Sequence, residues 1–225
     1  MARLWEAPPA RAGLGLLHAD GLLLVLDKPA GLLAVPGRGA DKQDCLAARV
    51  QRLYPEARIV HRLDMATSGL LLMARGLMAQ RQLSAAFEQR EVAKRYQAVV
   101  AGRLATPADA DDEGWSCIAL PLAADWPRRP MQKVDTTHGR PSLTRWRVLG
   151  HGDGTTRLEL EPLTGRTHQL RVHLQAIGHP ILGDALYAPP QVQAAAPRLL
   201  LHASELGVAH PGSGEALRWR SPPPF

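Results

Sequence analysis

The chain has 225 residues, of which 45% are hydrophobic and 21% charged, a balance that supports one or two sizeable buried cores and does not suggest disorder. A formal charge of +6 and a pI near 9.9 make a polyanion, nucleic acid foremost, the partner to expect, while 4% aromatic residues argue against repeated base stacking along a strand. The longest apolar runs, such as "GLLLVL" and "GLLLMA", fall far short of the ~20 residues that span a bilayer, "MARLWEAPPARAG" lacks the apolar stretch of a signal peptide, and two cysteines make no disulfide framework. A soluble, cytoplasmic, monomeric protein is expected, with Cys45 and Cys117 as reduced, buried thiols.

In chain order, "GLLHADGLLLVLDKP" reads as a hairpin turned at Asp20-Gly21 and ending at Lys28-Pro29. "DCLAARVQRLY" places Leu46, Val50 and Leu53 at helical spacing behind Asp44 as N-cap, and "LMAQRQLSAAFEQRE" is a second amphipathic helix pairing Leu83 with Phe87. Between these helices, "RIVHR" and "LLLMA" have the character of short buried strands, and strand periodicity fails over "LDMATSG", which puts Asp64 on a loop at a strand end. "PADADDEG", residues 107–114, is an exposed acidic loop. "KRYQAVVAG", "SLTRWRVLG", "TTRLELEPL" and "RLLLHASELGVAH" follow as strands, with a hairpin turn at Gly152 to Gly154. "TGRTHQLRVHLQAIGHP" breaks the strand pattern: Thr167 is placed to cap, Leu170, Leu174 and Ile177 share a face, and Gly178 and Pro180 stop the helix. Arg166 then precedes the helix N-terminus. The fold class is α+β.

His168 and His173 stand about 140° apart on such a helix, so the histidines 168, 173 and 179 make poor metal ligands and no metal is expected. In "HRLDMATSG" the carboxylate of Asp64 either bonds loop amides as an Asx turn or, kept ionised beside Arg62, serves as a nucleophile or electrostatic stabiliser. The paired carboxylates of a glycosidase are absent there. Arg128, Arg129 and Lys133 in "DWPRRPMQKVD" lie on a proline-bounded loop, either a solvated charged loop or a clamp on a phosphate backbone.

"HRLDMATSG", "KRYQAVVAG", "GRTHQLRVHLQAIGHPILGD" and "LLLHA", in that order, resemble the motif set of the RluA family of pseudouridine synthases over about residues 13 to 222. "DWPRRPMQKV" is similar to the dual-specificity members, which act on large-subunit ribosomal RNA and on the anticodon stem-loop of certain tRNAs. The resemblance implies one catalytic domain over residues 1–225, a mixed, mostly antiparallel sheet of about eight strands with a central cleft, and no S4-like RNA-binding module ahead of it. It also implies that no cofactor is needed, that Asp64 is the nucleophile, that Arg166 pairs with it, and that Tyr96 stacks on the extruded base as candidate acceptor of the C5 proton. Arg62 is the candidate for filling the gap left by the flipped base, because a planar guanidinium stacks and bonds phosphate together. The rival readings are a synthase acting on one RNA class, a noncatalytic RNA-binding protein that kept the cleft, and a nucleoside or glycoside hydrolase.

Overall fold

The computed structural model describes residues 14–225; the opening segment "MARLWEAPPARAG", read above for a signal peptide, lies outside the described residues. The chain divides into two compact units, one reaching to Lys94 and joined by His202–Pro224, the other formed by Arg95–Leu201 with Phe225. The described residues form twelve strands, of which three, Ala57–Ile59, Leu122–Ala124 and Gln132–Val134, have only three residues.

The first unit is built on β1 (Leu16–Ala19), β2 (Leu23–Lys28), β3 (Ala57–Ile59) and β4 (Ser68–Arg75). The hairpin expected at Asp20-Gly21 is present: the Asp20 carboxylate accepts from the amides of Leu22 and Leu23 at 2.7 and 2.9 Å, closing the turn. β2 and β4 pair antiparallel, and their Leu, Val and Met side chains are buried on both faces, the continuous apolar run of a central strand. Two helices attend this sheet, α1 (Leu46–Gln51) and α2 (Leu77–Glu88). Leu83 and Ala79 of α2 pack into a core with Leu23, Val25, Leu70 and Leu72, and Phe87 packs at its margin.

Asp44 does not cap α1. The cap is Cys45, whose Sγ accepts from the amide of Ala48 at 3.4 Å, while Asp44 is drawn outward into a two-pronged pair with Arg49 at 2.6 and 2.8 Å. Cys45 is a buried free thiol as expected; Cys117 is free but exposed, because alternation along its strand turns it to solvent.

In the second unit β5 (Ala93–Ala101), β6 (Ser116–Ala119), β9 (Leu143–Gly152) and β10 (Thr155–Pro162) lie in the order β5-β10-β9-β6, all antiparallel. A separate hairpin joins β7 (Leu122–Ala124) to β8 (Gln132–Val134). α3 (Gln169–Ala176) follows β10, and the short α4 (Pro190–Ala194) lies near the end of the unit. β11 (Leu201–Ala209) and β12 (Ala216–Arg220) return to the first unit, where β11 runs parallel to β4 and antiparallel to β12. No helix among the described residues is long and apolar enough to cross a membrane.

Gly178 stops α3 as its sequence position suggested. It adopts φ +85°, its amide reaches the Gln175 carbonyl at 3.0 Å, and the His179 amide reaches Leu174 at 2.9 Å, the paired bonds of a Schellman motif. Thr167 does not cap the other end. His168 stands at the N-cap with φ +54° and no side-chain cap bond, while Thr167 is exposed.

Candidate active site

The "HRLDMAT" loop links β3 to β4, and each end is fixed by a buried polar contact. Leu63 is buried, Arg62 exposed, and Asp64 half-buried between them and the exposed Met65. The amide of Thr67 donates to the Asp64 carbonyl at 3.1 Å, a tight turn that holds the aspartate at its start. His61 begins the loop. Its Nε2 accepts from the Leu72 amide at 2.9 Å and its ring stacks on Phe87 with centroids 4.4 Å apart. Burial, helped by the positive charge of Lys94, pushes the imidazole down to about 3, so it is neutral, carries its proton on Nδ1, and remains an acceptor at physiological pH.

Lys28, at the end of β2, is wholly buried. Its Nζ donates to the carbonyls of Pro29 at 2.8 Å, Leu32 at 2.7 Å and Met65 at 3.2 Å, and the Gly31 amide adds a second bond to the Met65 carbonyl at 2.8 Å. Three carbonyl acceptors offset the desolvation of the ammonium, and the Met65–Ala66 peptide, one residue past Asp64, is pinned in return. On the β4 side Ser68 and His202 Nδ1 are hydrogen-bonded at 2.8 Å. Gly69, at φ +108°, comes so close to β11 that a Cβ there would stand 2.3 Å from the Ala203 carbonyl oxygen. Only glycine fits at that position.

In the second unit Tyr96 lies on β5 opposite Leu160 and is half-buried. Arg166 occupies the turn between β10 and α3, where its Nε donates to the Pro141 carbonyl at 3.4 Å. Gln169 holds that turn. Its buried side-chain oxygen accepts from Thr164 at 2.7 Å and from the Arg166 amide at 3.1 Å, and its nitrogen donates to the Leu143 carbonyl and the Thr144 hydroxyl, each at 3.0 Å. Both lone pairs and both protons are thus used, which makes the residue a rigid brace. The histidines serve as braces too: His168 meets the Tyr187 hydroxyl at 2.6 Å, His173 lies between Thr144 and the Leu120 carbonyl, and His179 bonds the Ala101 carbonyl. Among the described residues no three His, Cys, Asp or Glu side chains gather as metal ligands.

The three cations of "DWPRRPMQKVD" sit on or beside the turn joining β7 to β8. Arg128 is bound by the buried Asp125 at 2.6 Å, Lys133 is paired with Asp135 at 3.4 Å, and the guanidinium of Arg129 lies 3.5 Å from the centre of the Trp126 ring. Tyr187 ties this hairpin to the segment before α3, its hydroxyl accepting from the Gln132 amide at 2.8 Å and hydrogen-bonded to His168 Nδ1 at 2.6 Å. A buried Arg171–Asp184 pair orients Tyr187, since Asp184 also accepts from the Tyr187 amide.

The structure therefore puts Arg62 and Asp64 on one braced loop of the first unit, and Tyr96, Arg166 and the three loop cations on the second. Sequence reasoning did not single out Lys28, His61, Gln169 or Tyr187. The available signal was a polar residue set among apolar positions, as in "LLLVLDKP" and "HQLRVHL", where burial demands a partner.

A sheet braced around a lone loop carboxylate, with a second unit carrying a tyrosine strand and an arginine turn, defines a class that comparison with known proteins makes explicit. The family model for RNA pseudouridylate synthase matches residues 22–176, and the chain belongs to that family. It is 46% identical over 219 residues to the dual-specificity RNA pseudouridine synthase RluA of Escherichia coli strain K12, covering 97% of each chain, and 45% identical over 226 residues to the protein of the same name from Pasteurella multocida, covering 100% of each. Among solved structures, human RNA pseudouridylate synthase domain containing 1 is similar with a TM-score of 0.76 at 30% identity, over 97% of this chain and 86% of that one.

Proposed function

We propose that this chain isomerises uridine to pseudouridine in two classes of RNA, large-subunit ribosomal RNA and the anticodon stem-loop of tRNAs. The observation that carries the reading is near-full-length identity of 46% to an enzyme whose name states dual specificity. The two units act as one catalytic domain, a reading supported by a family match that starts in the first unit and ends in the second. The enzyme works as a monomer in the cytoplasm, where both substrates are found.

The reaction breaks the bond from uracil N1 to C1′, turns the base and joins C5 to C1′; the C5 proton leaves and N1 gains one, so the product is an isomer. Asp64 attacks either the sugar or the base of the nucleotide to form a covalent intermediate and is freed again as the product forms. Arg166 orients the carboxylate of Asp64, and Tyr96 stacks on the extruded base and accepts the C5 proton. The bracing of the loop by Lys28 and His61 supports this role, because a nucleophile must be presented in one geometry. Extruding a uridine costs a few kcal/mol, and Arg62, exposed two residues from Asp64, fills the vacated stack. Arg128, Arg129 and Lys133 grip phosphates.

Purified protein incubated with unmodified minimal stem-loops of each RNA class, followed by carbodiimide-blocked primer extension, tests the proposal. Both hairpins should acquire a single pseudouridine. Conversion of one hairpin with none of the other at equal concentration would establish a one-class synthase, and conversion of neither would remove the assignment.

A further inference from the structure

We propose that Trp126, backed by Arg129, is a stacking platform for an unpaired nucleobase of the RNA substrate other than the target uridine. The proposal rests on the reading of the chain as an RNA-modifying enzyme and extends it to a residue that neither the sequence motifs nor the family match assigns. Of the tryptophans among the described residues, Trp115, Trp146 and Trp219 are only 3 to 4% exposed, whereas Trp126 is 66% exposed. An indole carries a large apolar surface whose exposure to water is unfavourable, so the one ring left outside calls for a partner that covers it.

The surroundings say what that partner is. The guanidinium carbon of Arg129 lies 3.5 Å from the Trp126 ring centre, so a cation lies against one face, while the residue as a whole keeps 66% of its surface exposed. Arg128 and Arg129, both exposed and next to Trp126 along the same turn, favour an anionic partner over an apolar protein surface or a neutral ligand. The backbone turn that carries the ring is also held in place. The Asp125 amide donates to the Met131 carbonyl at 3.0 Å, the amides of Arg128 and Met131 close successive turns at 3.0 Å each, and the Asp125 carboxylate locks Arg128. A platform fixed before binding loses little freedom when a base settles on it. Stacking is tolerant of sequence, because every base has a π face, and so it serves two unrelated RNAs equally well if each offers an unstacked loop base.

The test compares wild-type protein with Trp126→Ala, Trp126→Phe and Arg129→Ala, using the two unmodified stem-loops as probes. Binding is titrated over a salt series and single-turnover rates are measured at saturating enzyme. Trp126→Ala should weaken binding to both hairpins by about 10- to 100-fold with the salt slope unchanged and the saturating rate within about threefold of wild type, since a neutral ring releases no counterions. Trp126→Phe should recover most of the loss, and Arg129→Ala should lower both affinity and slope. Thermal melts establish that each variant is folded, and the exposed position of Trp126 makes this the expected result. Unchanged binding by Trp126→Ala, or equal losses for alanine and phenylalanine, overturns the platform while the synthase reading stands on the turnover of wild type. If wild type converts neither hairpin yet Trp126→Ala still loses affinity with an unchanged salt slope, the synthase reading falls and the platform stands. Absence of any RNA binding by wild type overturns the platform as well.

Discussion

The loop carrying Asp64 and the hairpin turn carrying Trp126 are both short connections between strands, yet they are built on opposite plans. The first is gripped along its length: Leu63 is buried, Lys28 and Gly31 hold the carbonyl after Asp64, His61 locks the entry and Gly69 lies against β11 at the exit. The second is gripped only at its base, by Asp125 and by the Tyr187 bond to Gln132, and leaves Trp126, Arg128 and Arg129 in solvent. A nucleophile gains from fixed geometry, because misplacement by a fraction of an ångström removes its alignment with the reacting atom. Groups that hold a deformable RNA gain from reach and exposure, and tolerate small displacements.

The sharpest way to break this comparison is at the carboxylate. Asp64→Asn should lose all measurable isomerisation, read as tritium release from 5-labelled uridine RNA, while RNA affinity stays within a few-fold, because an amide keeps the shape without the nucleophilicity. Appreciable turnover by this variant would take Asp64 out of the mechanism.

Next in size is the brace. Lys28→Met retains the apolar stem but takes the lysine donor from the Pro29, Leu32 and Met65 carbonyls, leaving Met65 only the Gly31 amide, at a cost of about 2 kcal/mol in urea unfolding, with turnover falling more than RNA affinity. A variant with full stability and activity would show that the loop does not depend on this grip.

His61 gives the comparison a pH axis. Its value is about 3 in the folded protein against 6.5 for the free side chain, so between those limits the unfolded chain takes up a proton that the folded chain refuses. The stability that this site contributes is full above about pH 6.5 and is lost as the pH falls toward 3. His61→Gln keeps an acceptor for the Leu72 amide without the titration, so its unfolding free energy should fall less steeply than that of wild type from pH 7 to pH 4. Parallel curves would mean that folding does not lower the proton affinity of His61.

The smallest effect is expected at the grip. Arg128→Ala with Lys133→Ala should weaken all substrate stem-loops alike, by less than about tenfold, and reduce the slope of log affinity against log salt by about 1 to 2. The effect is modest because each cation already has a carboxylate partner, Asp125 and Asp135. An unchanged slope would show that these two cations touch no phosphate.

Much of the fold was legible in the chain because the signals were local. The Asp20-Gly21 hairpin, the apolar runs of β2 and β4, the helix α2 and the glycine stop of α3 each follow from a few adjacent residues. The caps were less legible. Asp44 and Thr167 have the right chemistry in the right place, but Arg49 competes for the first, and at the second the four-way bonding of Gln169 organises the turn with His168 in a left-handed conformation. Cys117 was misread for a related reason: strand alternation decides its side, and the register of β6 against β9 cannot be read from four residues.

By itself the sequence determined an α+β chain, a basic balance, a carboxylate beside an arginine on a small-residue loop, and an ordered set of motifs that identifies the family. Those are properties of composition, period and local chemistry, carried by residues close together along the chain. Only the tertiary structure decided which polar residues serve as supports: that Lys28 reaches a carbonyl 37 positions away, that His61 is held neutral against Phe87, that Tyr187 joins a hairpin to a helix 55 and 19 residues distant, and that Trp126 stays outside. A buried polar group is satisfied by whatever donor or acceptor the fold brings within about 3 Å, and that distance depends on long-range packing that no local pattern encodes.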